Sequence, residues 1–409
     1  MSQFSVEQQL EVPAPFLFRV TGKQSIERLE PLIKALVPGA VSAEELIADQ
    51  KELPALDFVW ETTCRREHRP IHQNAALTNK LHNAQIIESK SSLAYLQLRV
   101  DYPMLETYIA EGGGEVGAWV KARWETQGTA QAELDWWVVK ASKGNGGRDV
   151  WILNAGNADK VLSELEPLEE YVIQKYVNHP ILFKGKKFHF RCYSAMMGDG
   201  SALVYQKSFI LSAGMDFDYK DDDMRKHVTN LSVNKRFKGH PGQVTCNMPI
   251  EFPEIYIEVK KMWGAIVDAA YQFMSKQRGG QHFEFFGIDV IADSAGACWF
   301  IEANRLPGLE SSSNNKDDED VMYDEMMTAF LSKVLRSHPS FVASGCEDGL
   351  WECVRDAHDA AVPASALQKA GSTVNAAAVS ACEEDTWINL LKWRAFTRKN
   401  RHRVQVQAL

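Results

Sequence analysis

The sequence predicts a mixed fold, α/β at the start of the chain and α+β beyond it, on three observations. The chain has 409 residues, long for one compact domain, so two or three packed units sharing one site are expected. Apolar side chains recur at helical spacing over residues 25–36, where Ile26, Leu29, Leu32, Ile33 and Leu36 share a face, and again over 255–277. Between 136 and 305 the pattern changes to short β-prone runs separated by turn residues.

Taken in order, residues 16–20 alternate weakly and predict a strand leading into the 25–36 helix. Pro38-Gly39 ends that helix, Ser42 is placed to cap another over 43–49, and 57–61 predicts a second strand. Residues 1–75 therefore read as a small N-terminal α/β domain. Residues 76–132 look mostly helical, with segments at 93–99 and 117–126 and the loop Gly112-Gly113-Gly114 between them. A central domain over 76–185 then carries strands at 136–140 and 150–153 around a glycine-rich loop. The third domain, 186–340, is strand-rich with the helix 255–277. Residues 341–409 differ again: 360–381 is alanine-rich with few large apolar side chains, and a loose helix and a flexible segment both remain open. The stretch TWINLLKWRAFTRKNRHRV predicts a basic amphipathic helix, either a solvated face or a dock for an acidic partner.

Composition narrows the class. Hydrophobic residues make up 45% and charged residues 24%, ordinary for a soluble globular protein. A net charge of −9 argues against nucleic acid as partner, so any bound anion needs local positive charge. Seven cysteines (Cys64, Cys192, Cys246, Cys298, Cys346, Cys353 and Cys382) include no CxxC pair, which reads as free thiols in a reducing compartment. No cationic start with an apolar h-region and no run of 18 apolar residues is present. No signal peptide and no membrane partner are therefore expected, and the expected location is cytoplasmic.

The chemistry concentrates in three places. In EFFGIDVIADSAGACWFIEAN, residues 284–304, two β-prone runs flank the turn Asp293-Ser294-Ala295-Gly296. A turn centred on Ala295-Gly296 makes opposed positions sum to 591, so Asp289 faces Glu302 with Cβ atoms roughly 4.5–5.5 Å apart. Asn304 projects from the same face. Opposed carboxylates repel unless a cation lies between them, and two carboxylates with an amide oxygen suit Mg²⁺. A shifted register with one carboxylate in solvent is the open alternative. Second, VVKASKGNGGRDV joins two strands by a glycine-rich loop whose N–H groups can converge on an anion, with Lys140 at the strand end and Lys143 and Arg148 adding charge. It lacks both GK[ST] and GxGxxG order, and an exposed turn is its alternative reading. Third, KFHFRCY alternates strictly: Lys187, His189, Arg191 and Tyr193 share one face and Phe188, Phe190 and Cys192 the other. That is a floor for a phosphate site or a solvated edge strand. Ahead of it, the short strand YVIQKYV ends on polar Gln174 and Lys175, an edge whose backbone can hydrogen-bond a purine.

These pieces, with HVTNLSVNK and FFGIDVIADSAGACWFIEANRLPGL, resemble in order the motifs of tubulin tyrosine ligase and its relatives, over residues 76–335. The resemblance implies an ATP-grasp fold and an ATP- and Mg²⁺-dependent ligase that joins a carboxylate to an amine through an acyl phosphate. It implies that Lys140, Ser142, Gly144, Asn145, Gly146, Gly147 and Arg148 hold phosphates, and that Gln174, Lys175 and Tyr176 sit at the adenine. Lys187, His189 and Asn230 would meet the nucleotide, Arg191 and Lys187 would act in catalysis, and Asp289, Glu302 and Asn304 would ligate Mg²⁺. The implied partners are a free amino acid and a protein or peptide acceptor, with tubulin or its acidic tail expected, which would add association with the cytoskeleton.

Departures are visible. His189 stands where the family usually has aspartate, Leu211 where tubulin-modifying members often carry an acceptor-gripping arginine, and Arg305 and Pro307-Gly308 are not what the tyrosine ligase itself has. A non-tubulin acceptor, or a non-catalytic binding module of the same fold, stays open. Cys64, His68 and His72 repeat at spacing four, but Pro70 interrupts any helix that would align them as metal ligands.

Overall fold

The computed structural model describes residues 14–44, 55–62, 75–124, 134–143, 149–234, 237, 239–274, 282–305, 307–311, 315–343 and 348–356. The Cys64/His68/His72 triplet, Gly144 to Arg148 and the basic tail lie outside the described residues. Backbone contacts divide the chain into two compact units: residues 1–79 with 327–347, and residues 80–326 with 348–409.

The first unit is a parallel sheet, β2-β1-β3-β4, of β1 (Leu17–Val20), β2 (Val41–Ser42), β3 (Phe58–Trp60) and β4 (Leu77–Thr78). Helix Lys23–Leu36 buries Leu29, Ile33 and Leu36, the stripe the spacing predicts. Gly39 follows its end at φ +85°, a conformation that favours glycine. Residues 327–347 return to this unit: the Val342 N–H donates to the Leu36 carbonyl at 2.8 Å, and His338 packs edge-on against Phe16.

The second unit holds two antiparallel sheets. The smaller, β5-β8-β6-β7, comprises β5 (Thr107–Ala110), β6 (Trp137–Ala141), β7 (Val150–Leu153) and β8 (Tyr171–Lys175). Helices Gly113–Trp124 and Ala158–Glu164 cover one face, packing Val116, Val120 and Val161 on Trp137, Val139, Tyr171 and Ile173. The period of two sends Val138, Lys140 and Gln174 to the other face. One expectation changes here. The glycine triplet is no loop between helices: it follows β5, and Gly113 opens the helix. A Cβ at Gly112 would lie 2.1 Å from the Pro167 carbonyl oxygen, so close backbone approach explains that glycine.

The larger sheet adds β9 (Leu182–Phe183), β10 (Lys186–Met197), β11 (Ala202–Ser212), β12 (Gln243–Asn247), β13 (Phe283–Ala292), β14 (Cys298–Arg305) and β15 (Trp351–Arg355). Its order is β12-β11-β10-β13-β14, with β15 on β11 and β9 on β10. KFHFRCY thus lies on a central strand, not an edge. Phe188, Phe190 and Cys192 enter the main core with Phe286, Ile288 and Val290, against helix Pro253–Tyr271 through Val259, Trp263 and Ile266. The opposite face carries the polar residues. Among the described residues no helix is long and apolar enough to cross a membrane.

Candidate active site

A cavity of about 900 Å³ in the second unit is lined by both polar sheet faces. Lys140, Ser142, Gln174, Lys175 and Tyr176 reach it from the smaller sheet; Lys187, His189, Arg191, Tyr193, Asp289, Glu302 and Asn304 from the larger; Asn230 from the segment between β11 and β12. Lys143 and Asp149, which flank the undescribed Gly144 to Arg148, line it too.

The β13–β14 hairpin sets the acidic wall. Asp289 pairs directly with Glu302 and Gly287 with Asn304, a register sum of 591. Nearer the turn the sum is 590, with Val290 opposite Phe300 and Ala292 opposite Cys298. A bulge at Ile301 supplies the extra residue that restores 591 at the carboxylates. The turn closes through Asp293 N–H to Ala297 O at 2.9 Å, with Gly296 at φ +86°. Asp289 and Glu302 therefore face each other, but through a bulge and not the simple turn expected.

On the neighbouring strand Arg191 pairs in register with Asp289. Its Nε and Nη2 donate to the two carboxylate oxygens at 2.5 and 3.0 Å, a bidentate fork. His189 donates or accepts through Nδ1 with Thr229 Oγ1 at 2.6 Å, and its Nε2 comes within 3.5 Å of Asp289 Oδ1, ion-pair range without hydrogen-bond geometry. Burial opposes ionisation of Asp289, but Arg191 and then His189 outweigh it and hold the carboxyl well below the usual carboxylate range. Among the described residues, neither Glu302 nor Asn304 has a side-chain hydrogen bond.

Lys140 and Lys187 are the buried cations. Burial lowers the Lys140 pKa against the pull of Glu302, and its Nζ donates to Gln174 Oε1 at 2.9 Å. Burial, with Lys140 nearby, pushes Lys187 well below the ordinary lysine value; its Nζ lies 3.8 Å from the centre of the Tyr176 ring. Tyr176 Oη bonds His227 Nδ1 at 2.7 Å, and burial brings His227 down to about 4, so this pair is neutral. Lys175 turns its amine to Asp135 and over Trp137. The N–H groups of Lys175 and Tyr176 go to the Glu106 and Trp136 carbonyls. Asn230 accepts the Val233 and Asn234 N–H groups on its carbonyl, so the turn fixes its backbone.

Sequence reasoning took only the asparagines from HVTNLSVNK and missed His227 and Thr229 in the same motif, which hold Tyr176 and His189. Polar residues two apart in that motif were the available signal. It named Arg305 as a departure but missed its partner: Nε and Nη2 grip the buried Glu284, on another strand, at 2.9 and 3.1 Å.

A family model described as the tubulin-tyrosine ligase family matches residues 115–340, more than half of the chain. The chain is 28% identical over 162 residues to the Rattus norvegicus protein named probable tubulin polyglutamylase TTLL9, covering 36% of this chain and 35% of that protein. It is 22% identical over 335 residues to the Saccharomyces cerevisiae protein named probable tubulin–tyrosine ligase PBY1, covering 69% and 43%. It thus spans less than half the length of these relatives. Among solved structures, the C-terminal domain of K. lactis Pby1, described as an ATP-grasp enzyme interacting with the mRNA decapping enzyme Dcp2, superposes with a TM-score of 0.52 at 18% identity. That match covers 81% of this chain and 98% of that one. The fold is therefore ATP-grasp, and, with the family match spanning the cavity-lining strands from β6 to β14, this chain belongs to the tubulin-tyrosine ligase family.

Proposed function

We propose that this chain is an ATP- and Mg²⁺-dependent carboxylate–amine ligase adding an amino acid to a protein or peptide acceptor, with tubulin the first acceptor to test. The observation that carries the reading is one cavity in which Lys140, Lys187 and Arg191 meet Asp289 and Glu302. Such a site can bind a polyphosphate, hold its counter-ion and neutralise charge as a phosphoryl group moves.

Asp289, Glu302 and Asn304 would hold the Mg²⁺. They fit it in kind: hard oxygen donors on adjacent strands, one carboxylate kept ionised and the other two groups not engaged by described side chains. Among the described residues no group of three or more His, Cys, Asp or Glu is placed to hold a metal ion, so phosphate oxygens and water would have to complete the coordination. When bound, the ion would screen phosphate charge. Lys140 and Lys187 would bind phosphate oxygens, and Gln174, Lys175 and Tyr176 would line the adenine end. The terminal phosphoryl group of ATP passes to a substrate carboxylate oxygen, releasing ADP. The neutral amine of the second substrate then adds to the acyl carbon. Phosphate departs with the C–O bonding pair and the amine proton is lost to solvent. Arg191 would neutralise charge beside the acyl phosphate; no protein nucleophile is needed.

The test is mass spectrometry of tubulin after incubation with enzyme, ATP, Mg²⁺ and an amino-acid mixture. A mass increase equal to one or more residues is expected, and no ATP consumption with all twenty amino acids present sinks the tubulin reading. Glu302→Gln should lower ATP turnover on the order of 10²-fold; full activity in that variant removes Glu302 from the metal site. A different acceptor is the second reading. It is favoured by Leu211, which is apolar, 4% exposed and on the cavity wall, and by Arg305, which is committed to Glu284. Neither offers a free arginine to an acidic tail.

A further inference from the structure

We infer that Gly287 is a positioning residue for Arg191: the missing side chain is the space the Arg191 stem occupies over β13 while its guanidinium holds Asp289. The inference rests on the reading above for what Arg191 does, but its geometry stands apart from it.

The register lays two rows across three strands on the cavity face. One runs Arg191, Asp289, Glu302; the next runs Tyr193, Gly287, Asn304. The first row is charged throughout. The second has a hydrogen at its centre, between a buried tyrosine and an asparagine. A Cβ built at Gly287 would lie 2.9 Å from Arg191 Cδ, 3.4 Å from Arg191 Nε and 2.9 Å from Pro307 Cβ. Contacts under 3.0 Å essentially never occur for real Cβ atoms. The atom struck is the middle of the arginine, not its free end. Beyond it the guanidinium is held by both Asp289 oxygens. On the other side Pro307 is a rigid ring and buried. Gly287 is not in the left-handed region, so its backbone would accept any residue, and space alone demands glycine.

Adding one methyl group therefore moves Arg191 off the Asp289 fork while Lys140 and Gln174, on the other sheet, are undisturbed. Purified Gly287→Ala should lose about 10²-fold in kcat, the scale of a displacement near 1 Å, with the KM for ATP changed less than about threefold. Gly349→Ala, where a Cβ meets nothing within 4 Å, should keep wild-type kinetics. A thermal double-mutant cycle separates positioning from general damage. Truncating the arginine removes the struck Cδ and Nε and leaves only the Pro307 contact, so Gly287→Ala should lower Tm less in an Arg191→Ala background than in the wild type. Equal Tm losses in both backgrounds, or an unchanged kcat, overturn the inference. If Gly287→Ala alone does not fold, recovery of folding by adding Arg191→Ala supports it and failure of both rejects it. A wild-type protein without ligase activity would sink the proposed function while leaving the Tm cycle to decide the geometry.

Discussion

At the scale of single residues, burial works against the charges the cavity needs, and each charge survives through a particular neighbour. Arg191 stays protonated despite burial because Asp289 faces it. Among the described residues no carboxylate pairs with Lys187; burial and Lys140 hold its pKa well down. A bound polyphosphate would reverse that, since an adjacent anion favours the ammonium. The sign follows. Without anion, Lys187 loses its proton as pH rises through its depressed value; with anion bound, it does so nearer the ordinary value of about 10.4. Nucleotide binding in that window should take up protons, and affinity should weaken as pH rises through it. Calorimetry in buffers of different ionisation enthalpy reads this directly, and Lys187→Met should abolish the uptake. Uptake unchanged in that variant would assign the proton to another group.

At the scale of elements, the acidic wall depends on how β13 and β14 are joined at both ends. The bulge at Ile301 realigns the strands so that Asp289 meets Glu302. At the far end Glu284, with no solvent exposure, accepts both Arg305 donors and the Leu81 N–H at 3.0 Å, with Lys80 at 3.9 Å. This ties the strand carrying Asn304 to the segment that carries Glu88 and Lys90 into the cavity. Removing one partner of a buried pair strands the other. Arg305→Met should therefore cost about 3–5 kcal/mol in urea unfolding, and Glu284→Met with Arg305→Met should recover most of it. A single-variant loss within about 0.5 kcal/mol of zero, typical of surface substitutions, would mean that water already reaches the pair. The alternation of 187–193 was legible because a strand repeats every two residues, and the hairpin because turn residues separate two β-prone runs. The bulge was not, since one extra residue leaves no mark on composition.

At the scale of the whole molecule, the cavity requires two sheets of the second unit to turn polar faces to one space, with the helix-covered faces behind them. A ligand spanning both sheets should stabilise that arrangement by mass action. A non-hydrolysable ATP analogue with Mg²⁺ at about 100 times its Kd should add about 2.7 kcal/mol, seen as a rise in Tm. The rise should shrink when Mg²⁺ is withheld or Glu302→Gln is used. No rise with nucleotide and metal together would mean that the cavity is not a nucleotide site.

What the sequence determined by itself was local and periodic: which residues share the polar face of β10, that Asp289 and Glu302 lie opposed, that the start of the chain is α/β, and that the motif order resembles the family to which the chain belongs. What only tertiary structure decided was pairing at a distance. β10 became central, not an edge, because β11 and β13 both hydrogen-bond it. Residues 327–347 joined the N-terminal unit. Arg305 found Glu284, and Arg191 found the space over Gly287. The physical reason is that periodicity records which face a side chain takes, whereas its partner there is set by neighbouring strands, 98 residues away for Arg191 and Asp289.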